Sequence, residues 1–347
     1  MPDTPRSRRF TVARFREEDA EGVVALFSAV YGDSYPIAAF RDPALLAAQN
    51  RAGRITSAVA RSDDGQVVAH SGLCRSSPPF PRLLEAGIMA VLPDWRETFV
   101  AMRLGVWVME SLVLETPAEA VFGEAVCNVT ATQRLSFLTG YAPVALEADL
   151  MPEGSYAREG EPGSVSCLVV FRSWRDRRRA LHVPAAYRDE IAFLLEGLGL
   201  ERDLVSASSL LEPDPTAISV EDFGAAGVRR AALSLAGRDI DEVIDTLEAP
   251  GASAHVRVRQ VCVSLAHPSC GAAVDALRAR GWFLGGLLPR WFDDDALLMQ
   301  KLEGPPGFDR VHLHGERAAA ILDLVRRDHE RARSAAGREE ARPGASS

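Results

Sequence analysis

The 347-residue chain predicts an α/β protein built on a mixed sheet, an α+β arrangement. Three stretches carry that expectation. Residues 85–112, EAGIMAVLPDWRETFVAMRLGVWVMESL, read as a buried strand, a sharp turn at Pro93 and Asp94, and a long helix with an apolar stripe. Residues 121–141, VFGEAVCNVTATQRLSFLTGY, read as strand, short turn, helix, then a glycine and an aromatic. Residues 261–302 run through the same order again, with Gly281-Trp282 where the earlier stretch has Gly140-Tyr141. Strands that alternate with single helices point to a layered α/β architecture rather than to a bundle or a sandwich.

The remaining elements follow in chain order. Residues 10–32, FTVARFREEDAEGVVALFSAVYG, read as a first strand and helix, and residues 55–73 as a hairpin turning at Asp64-Gly65. A strand over 81–92 precedes a helix over 97–113. Gly140 suits the left-handed stop of the helix before it. Residues 151–165 carry three glycines, two prolines and mixed charge, the composition of a linker or long loop. A strand, SCLVVFRSW, and a basic run, RDRRRA, come next. Pro184 fits the first turn of a helix over 184–200. Two strands, TAISVEDF and GVRRAALSLAG, turn at Gly224, and Asp239 is an N-cap candidate for a helix over 239–249. HVRVRQVCVSLA (255–266) and DALLMQKL (295–302) read as strands. A charged helix spans 315–333, and the polar tail SAAGREEARPGASS lacks the apolar content to fold.

Composition bounds the function. The chain is 47% hydrophobic and 25% charged, ordinary for a globular protein able to bury a core. A net charge of -9 argues against nonspecific nucleic-acid or anionic-membrane binding. Lys301 is the only lysine, which reads as a GC-rich bacterial coding bias. The five cysteines, Cys74, Cys127, Cys167, Cys262 and Cys270, show no metal-ligand spacing and several lie in apolar runs, as buried reduced thiols of a cytoplasmic protein do. The N-terminus has no apolar h-region, and no run of roughly 18 apolar residues exists, so neither secretion nor membrane spanning is expected.

The strand–turn–helix at 85–112 also has the makings of an anion site, because the first amides of a helix lack internal partners and face the positive end of its dipole. It resembles the pyrophosphate loop of the GNAT superfamily of N-acetyltransferases, whose pattern is Arg/Gln-x-x-Gly-x-Gly/Ala after a Val-x-Pro strand end. Val91, Pro93, Arg96 and Ala101 match. Phe99 stands where the family has its first glycine, which normally lets phosphate approach the backbone. Residues 121–141 resemble the family's fifth strand and following helix, with Asn128 and Gly140-Tyr141 matching. Residues 10–32 and 55–73 resemble its first strand and helix and its second hairpin, so the likeness covers residues 10 to about 150 in order. Together with the echo at 256–302, for which a generic strand–helix–strand unit is the alternative, it implies a GNAT-like acyltransferase domain at 9–152, a linker at 153–165, a degenerate GNAT-like domain at 166–330, and a disordered tail at 331–347. The second half lacks an Arg-x-x-Gly-x-Gly loop and is not expected to hold CoA in the usual way.

Acyl transfer from a thioester needs a deprotonated amine, a stabilised oxyanion and an in-line approach. In this superfamily a splayed strand pair leaves backbone amides free for the thioester and pantetheine, here about Ile88 to Val91. The resemblance therefore implies an acetyl-CoA or other acyl-CoA co-substrate held by Met89, Val91, Arg96, Glu97, Thr98, Phe99, Val100, Ala101 and Asn128, with no metal. Asn128 is also readable as a turn cap. Glu85 is the general-base candidate, with a solvated strand-end charge as the alternative. The helix TATQRLSFL has no tyrosine to serve as acid to the thiolate. Tyr31 and Tyr35, in the loop YGDSYP with Asp33, are candidates to line the acceptor pocket, although turn chemistry alone accounts for Gly32, Asp33 and Pro36.

His70 and Cys127 on apolar strands read as core residues before they read as a nucleophile pair. His312 and His314 alternate on a strand-like segment without a third metal ligand nearby. Arg175, Arg177, Arg178 and Arg179 form a basic patch, either a solvated face or a surface for an acidic carrier protein. The leading expectation is an N-acyltransferase acting on a small-molecule or peptide amine, with no nucleic-acid or membrane partner. The alternatives are a noncatalytic GNAT-like scaffold, in which Phe99 closes the loop, and an acyltransferase fed by an acyl carrier protein, whose single phosphate a tighter loop would suit.

Overall fold

The computed structural model describes residues 8–32, 35, 37–156, 161, 163–250 and 255–340. They form two compact units, one of residues 1–123 and 135–141, the other of residues 124–134 and 142–347.

In the first unit β1 (Phe10–Arg14), β2 (Ile55–Ser62), β3 (Val67–Cys74) and β4 (Leu83–Val91) pair antiparallel in chain order, and the start of β5 (Ala120–Val126), up to Gly123, belongs to the same unit and pairs parallel with β4. The β2–β3 turn is where Asp64-Gly65 places it, with Gly65 at φ 87°. Ala58, Val59 and Ala60 are all buried, so both faces of β2 are covered. Helices α1 (Ala20–Tyr31) and α2 (Pro43–Arg51) supply Val23, Leu26, Phe27 and Leu46 to a core that includes Ile55, Val59 and Ala90. The helix α2 escaped the sequence reading although its signals are there: Pro43 opens it, and the Asp42 carboxylate accepts from the amides of Ala44 (2.9 Å) and Leu45 (3.1 Å).

The helix after β4, α3, packs against β1, β2 and β3. It runs only from Val100 to Glu110, shorter than the 97–113 expected. Thr98 sets its start: the Thr98 hydroxyl donates to the Trp95 carbonyl (2.7 Å) and accepts from the Val100 amide (3.2 Å), so the first residues are a turn. After Glu110 the chain tightens into a 3-10 turn over Leu112–Glu115. Val100, Leu104 and Val108, four residues apart, form the buried stripe. Each such side chain contributes about 1.5–3 kcal/mol by leaving water.

The second unit holds β6 (Ala142–Met151), β7 (Val165–Ser173), β8 (Arg179–Val183), β9 (Arg202–Ser206), β10 (Ala217–Phe223), β11 (Val228–Leu235), β12 (Val258–Ser264), β13 (Phe283–Leu288) and β14 (Ala296–Leu302). Its main sheet has the order β7-β6-β13-β14-β12-β11-β10, with β8 and β9 a separate parallel pair. Helices α4 (Ala131–Leu138), α5 (Arg188–Leu195), α6 (Ile240–Glu248), α7 (Cys270–Ala279) and α8 (Glu316–Glu340) complete the described elements; the end of α4 belongs to the first unit. The helix α8 continues into the segment read as a tail.

The strand–helix order of the first half recurs. β4, α3, β5, α4 and the antiparallel pair β6–β7 are matched by β11, α6, β12, α7 and the antiparallel pair β13–β14, and in both sets the first two strands are parallel. The helix ends match in atomic detail. Gly140 and Gly281 have φ 82° and 79°, the Tyr141 amide donates to Ser136 and the Trp282 amide to Leu277, and both aromatics are buried. One feature sets the second set apart: β11 and β12 stay paired from Val228↔Val258 through Leu233↔Val263 without a register shift. Gly286, at φ 141°, gives β13 the room to meet β6, since a side chain there would lie 2.5 Å from the Ala145 Cα.

Several local expectations are corrected. Asp239 does not cap α6; its carboxylate accepts from the Thr216 amide (2.7 Å) instead. The residue that turns β10 into β11 in the left-handed region is Gly227 (φ 63°), three residues after Gly224. His312 and His314 are not on a strand: the Gln133 side chain donates to the His312 carbonyl (2.8 Å) and accepts from the His314 amide (2.8 Å), and this clamp replaces a ladder.

Candidate active site

The site candidates in the first unit gather along β4. Opposite β3, Gly87 pairs with Gly72 and Ala90 with His70, which leaves Ile88 and Met89 together across from Ser71. This is a β-bulge. Ile88 sits at φ 56°, a left-handed conformation that a β-branched residue adopts at a cost of about 1–3 kcal/mol. On its other edge β4 is paired with β5 from Leu83↔Ala120 to Glu85↔Phe122.

Two side chains hold the bulge. The His70 Nδ1 lies 2.8 Å from the Ile88 carbonyl and its Nε2 lies 2.9 Å from the Ser57 hydroxyl. A carbonyl only accepts, so Nδ1 carries the proton and Nε2 accepts from Ser57. Burial lowers the His70 pKa from 6.5 to about 4, against the opposing pull of the Ile88 bond, and keeps the ring neutral. The next carbonyl, of Met89, accepts from the Tyr31 hydroxyl (3.1 Å). Tyr31 is fixed in turn by an aromatic cluster: its ring lies 4.9 Å from Tyr35 and 5.7 Å from Phe27, and Phe27 and Phe40 pack edge-on to His70 at 5.5 and 5.2 Å.

Glu85 pairs with Cys74 across β3 and β4 and is half-buried. Its neighbours on that face, Gly72 and Gly87, bring no side chain, and a Cβ on Gly87 would lie 3.4 Å from the Glu85 carboxylate. Burial, with added repulsion from Tyr31, Glu85 and Cys74, holds the Tyr35 phenol above its ordinary range, so it stays protonated as a hydrogen-bonding group. Glu85, Tyr31 and Tyr35, expected on the acceptor side, are thus brought together. Asp33 and Pro36 lie outside the described residues.

Arg96 and Glu97 are exposed, Thr98 is half-buried, and Val100 is buried beneath the helix start. The amides of Ala101 and Met102, in the first turn of α3, make no hydrogen bond among the described residues. Phe99 is 71% exposed, so it is not part of the core. Met89 and Val91 are half-buried. Asn128 lies in the other compact unit, in the turn between β5 and α4.

Unit one thus has a strand, β4, with a bulge at Ile88-Met89, followed after the turn at residues 93–99 by α3.

No protein-family model matches the chain, and no curated protein matches it. Solved structures similar to part of it are N-acetyltransferases. A ribosomal-protein-alanine N-acetyltransferase from Brucella melitensis is 15% identical, with 47% of this chain and 99% of that one covered at a TM-score of 0.39. An N-acetyltransferase from Staphylococcus aureus Mu50 is 11% identical, with 48% and 99% covered at 0.39. The protein yncA from Salmonella typhimurium, described as an acetyltransferase and solved with its cofactor acetyl-CoA, is 12% identical, with 48% and 95% covered at 0.39. Likeness at this level carries no argument about chemistry.

The other sequence candidates resolve differently. The basic run is largely paired within the chain. Arg177 pairs with Asp293 (2.7 Å), Arg178 with Asp203 (2.6 Å), and Arg179 with Asp176 and Asp293 (2.8 Å each), so three of its arginines are matched by carboxylates of the same chain. Cys127 is buried and its thiol is pushed up to about 12 by that burial, which makes it a poor nucleophile. Sequence reasoning missed the roles of His70 and Ser57. The alternation of His70 with apolar neighbours marked it as core; only the bulge shows what it holds.

Among the described residues no helix is long and apolar enough to cross a membrane.

Proposed function

We propose that this protein is an N-acyltransferase that moves an acyl group from an acyl-CoA thioester to an amine, in its first half. The observation that carries the reading is the β4 bulge at Ile88-Met89, with α3 beginning after the loop that follows β4. The length of β4 beyond Glu85 is the surface for the pantetheine arm. Arg96 and the open amides of the first turn of α3 are the surface for the pyrophosphate.

In the reaction the acceptor amine gives a proton to Glu85, directly or through a water, and attacks the thioester carbonyl carbon. The carbonyl oxygen becomes an oxyanion, stabilised by a main-chain amide of the bulge. Collapse re-forms the carbonyl, breaks the carbon–sulfur bond and releases CoA thiolate, leaving the amide product. α4 has no tyrosine to protonate the thiolate, so solvent supplies that proton. Tyr31 and Tyr35, half-buried beside Glu85, line the acceptor side. A small-molecule or peptide amine fits this arrangement.

The second half is read as a degenerate copy, closed to CoA by the unbroken pairing of β11 with β12. The internal pairing of Arg177, Arg178 and Arg179 weighs against an acyl carrier protein as donor.

Calorimetric titration with acetyl-CoA tests the reading. The full chain should bind with a Kd in roughly the 1 μM–1 mM range usual for enzyme substrates. Arg96→Glu should weaken binding about tenfold or more through loss of a charge-assisted contact. Phe99→Gly should preserve or improve binding, because its side chain supports no core. Absence of binding at millimolar acetyl-CoA would overturn the proposal and favour the scaffold alternative.

A further inference from the structure

We propose that His70 is a positioning residue that aims the Met89 amide at the thioester carbonyl; this rests on the acyltransfer reading above. His70 belongs to β3, on one side of β4, and its Nδ1–H holds the Ile88 carbonyl at 2.8 Å. No peptide bond among the described residues is cis, so the carbonyl of Ile88 and the N–H of Met89 point in opposite directions across one planar unit. A carbonyl held by the His70 ring therefore sets the Met89 N–H on the opposite side of that peptide plane. Ile88 and Met89 share the place opposite Ser71, so this plane lies at the bulge itself.

The clamp is built against an alternative. Left to itself, a β-branched residue at φ 56° relaxes toward extended backbone, which would return the peptide to the strand and turn the amide away. Three things oppose that. Ser57 donates to Nε2 and so selects the tautomer with hydrogen on Nδ1. Phe27 and Phe40 fix the ring plane. Tyr31 holds the following carbonyl at 3.1 Å, so both ends of Met89 are set. None of these groups touches the reacting atoms; their effect is transmitted through one peptide plane.

A unique label reports on that plane. Ile88-Met89 is the only Ile-Met pair in the chain, so ¹³C-carbonyl isoleucine with ¹⁵N-methionine yields a single amide signal, that of Met89. In the full-length protein saturating acetyl-CoA should move this signal, and CoA without an acyl group should move it less. In His70→Phe the signal should already differ without ligand, and acetyl-CoA affinity by calorimetry should fall about tenfold, the effect of losing one aimed hydrogen bond. His70→Asn places an amide donor near the Nδ1 position and should keep the signal and hold affinity within about threefold, whereas His70→Gln places its donor toward Ser57 and should not. If His70→Phe fails to fold, the Asn and Gln pair decides. A Met89 signal and affinity unchanged by His70→Phe, or equal in the Asn and Gln variants, would overturn the inference. Acetyl-CoA that binds without moving the Met89 signal would overturn it and leave the acyl-CoA reading standing. No binding of acetyl-CoA to the wild type would remove both.

Discussion

Replacing His70 by a residue that cannot titrate should change how stability depends on pH. Burial holds the native pKa of His70 at about 4, against 6.5 for an exposed histidine. Between those values the unfolded chain binds a proton at this ring and the native protein does not. Stability contributed by the neutral buried ring is thus fully present above pH 6.5 and declines as pH falls toward 4. The full loss would approach ~3 kcal/mol, and between pH 7 and pH 5 it is about 2 kcal/mol. Urea unfolding at the two pH values, for wild type and His70→Asn, isolates the effect, since every other group titrates in both proteins. The wild type should lose about 2 kcal/mol more than the variant over that interval. A difference under about 0.5 kcal/mol would refute the reasoning, because it would mean that the ring is solvated or already charged in the native state. The hydrogen bonds do not alter the sign: a second proton on Nε2 can be accepted by the Ser57 oxygen after its hydroxyl rotates, so the cost is that of charging a group cut off from water.

Other expectations are equally direct. Arg230 is buried and bonded to Glu147 (2.6 Å), to Gln260 (2.7 Å) and more loosely to Glu124 (3.3 Å), so Glu147→Leu should destabilise the protein by about 3–5 kcal/mol in denaturant titration, with part of the loss recovered when Arg230→Met is added. Gly281→Ala meets no atom within 4 Å, yet it must hold φ 79°, and should lower stability by about 1 kcal/mol; Gly140→Ala at φ 82° should lose a similar amount if the two helix ends are equivalent. Leu104→Ala, from the buried stripe of α3, should cost ~2–5 kcal/mol by thermal or urea unfolding. In turnover assays with any productive amine, Glu85→Gln should lower kcat about a hundredfold or more while changing acetyl-CoA affinity little, which would separate a proton acceptor from a strand-end charge.

Much of the architecture is legible in the residue order, because it rests on local chemistry. Alternating and continuous apolar runs mark β2, β3, β4 and β12; the stripe at Val100, Leu104 and Val108 marks α3; and Gly140-Tyr141 and Gly281-Trp282 mark helix ends that the structure closes by the same pair of hydrogen bonds. Each of these depends on side chains within one or two turns of each other. Where local rules misled, a distant partner had intervened. Asp239 has the residue type of an N-cap but bonds to Thr216, 23 residues away, and the basic run at 175–179 finds its counterions at Asp203 and Asp293. The candidate site is the clearest case. Glu85, Tyr31, Tyr35 and the loop at 96–101 can be named from the sequence, yet nothing in GIMAV announces that Ile88 turns left-handed. That outcome depends on a register shift against β3 and on a histidine eighteen residues upstream whose tautomer is chosen by a serine on a third strand. Pairing register and tautomer choice are set by contacts distant in sequence, and only the folded chain brings those contacts into being.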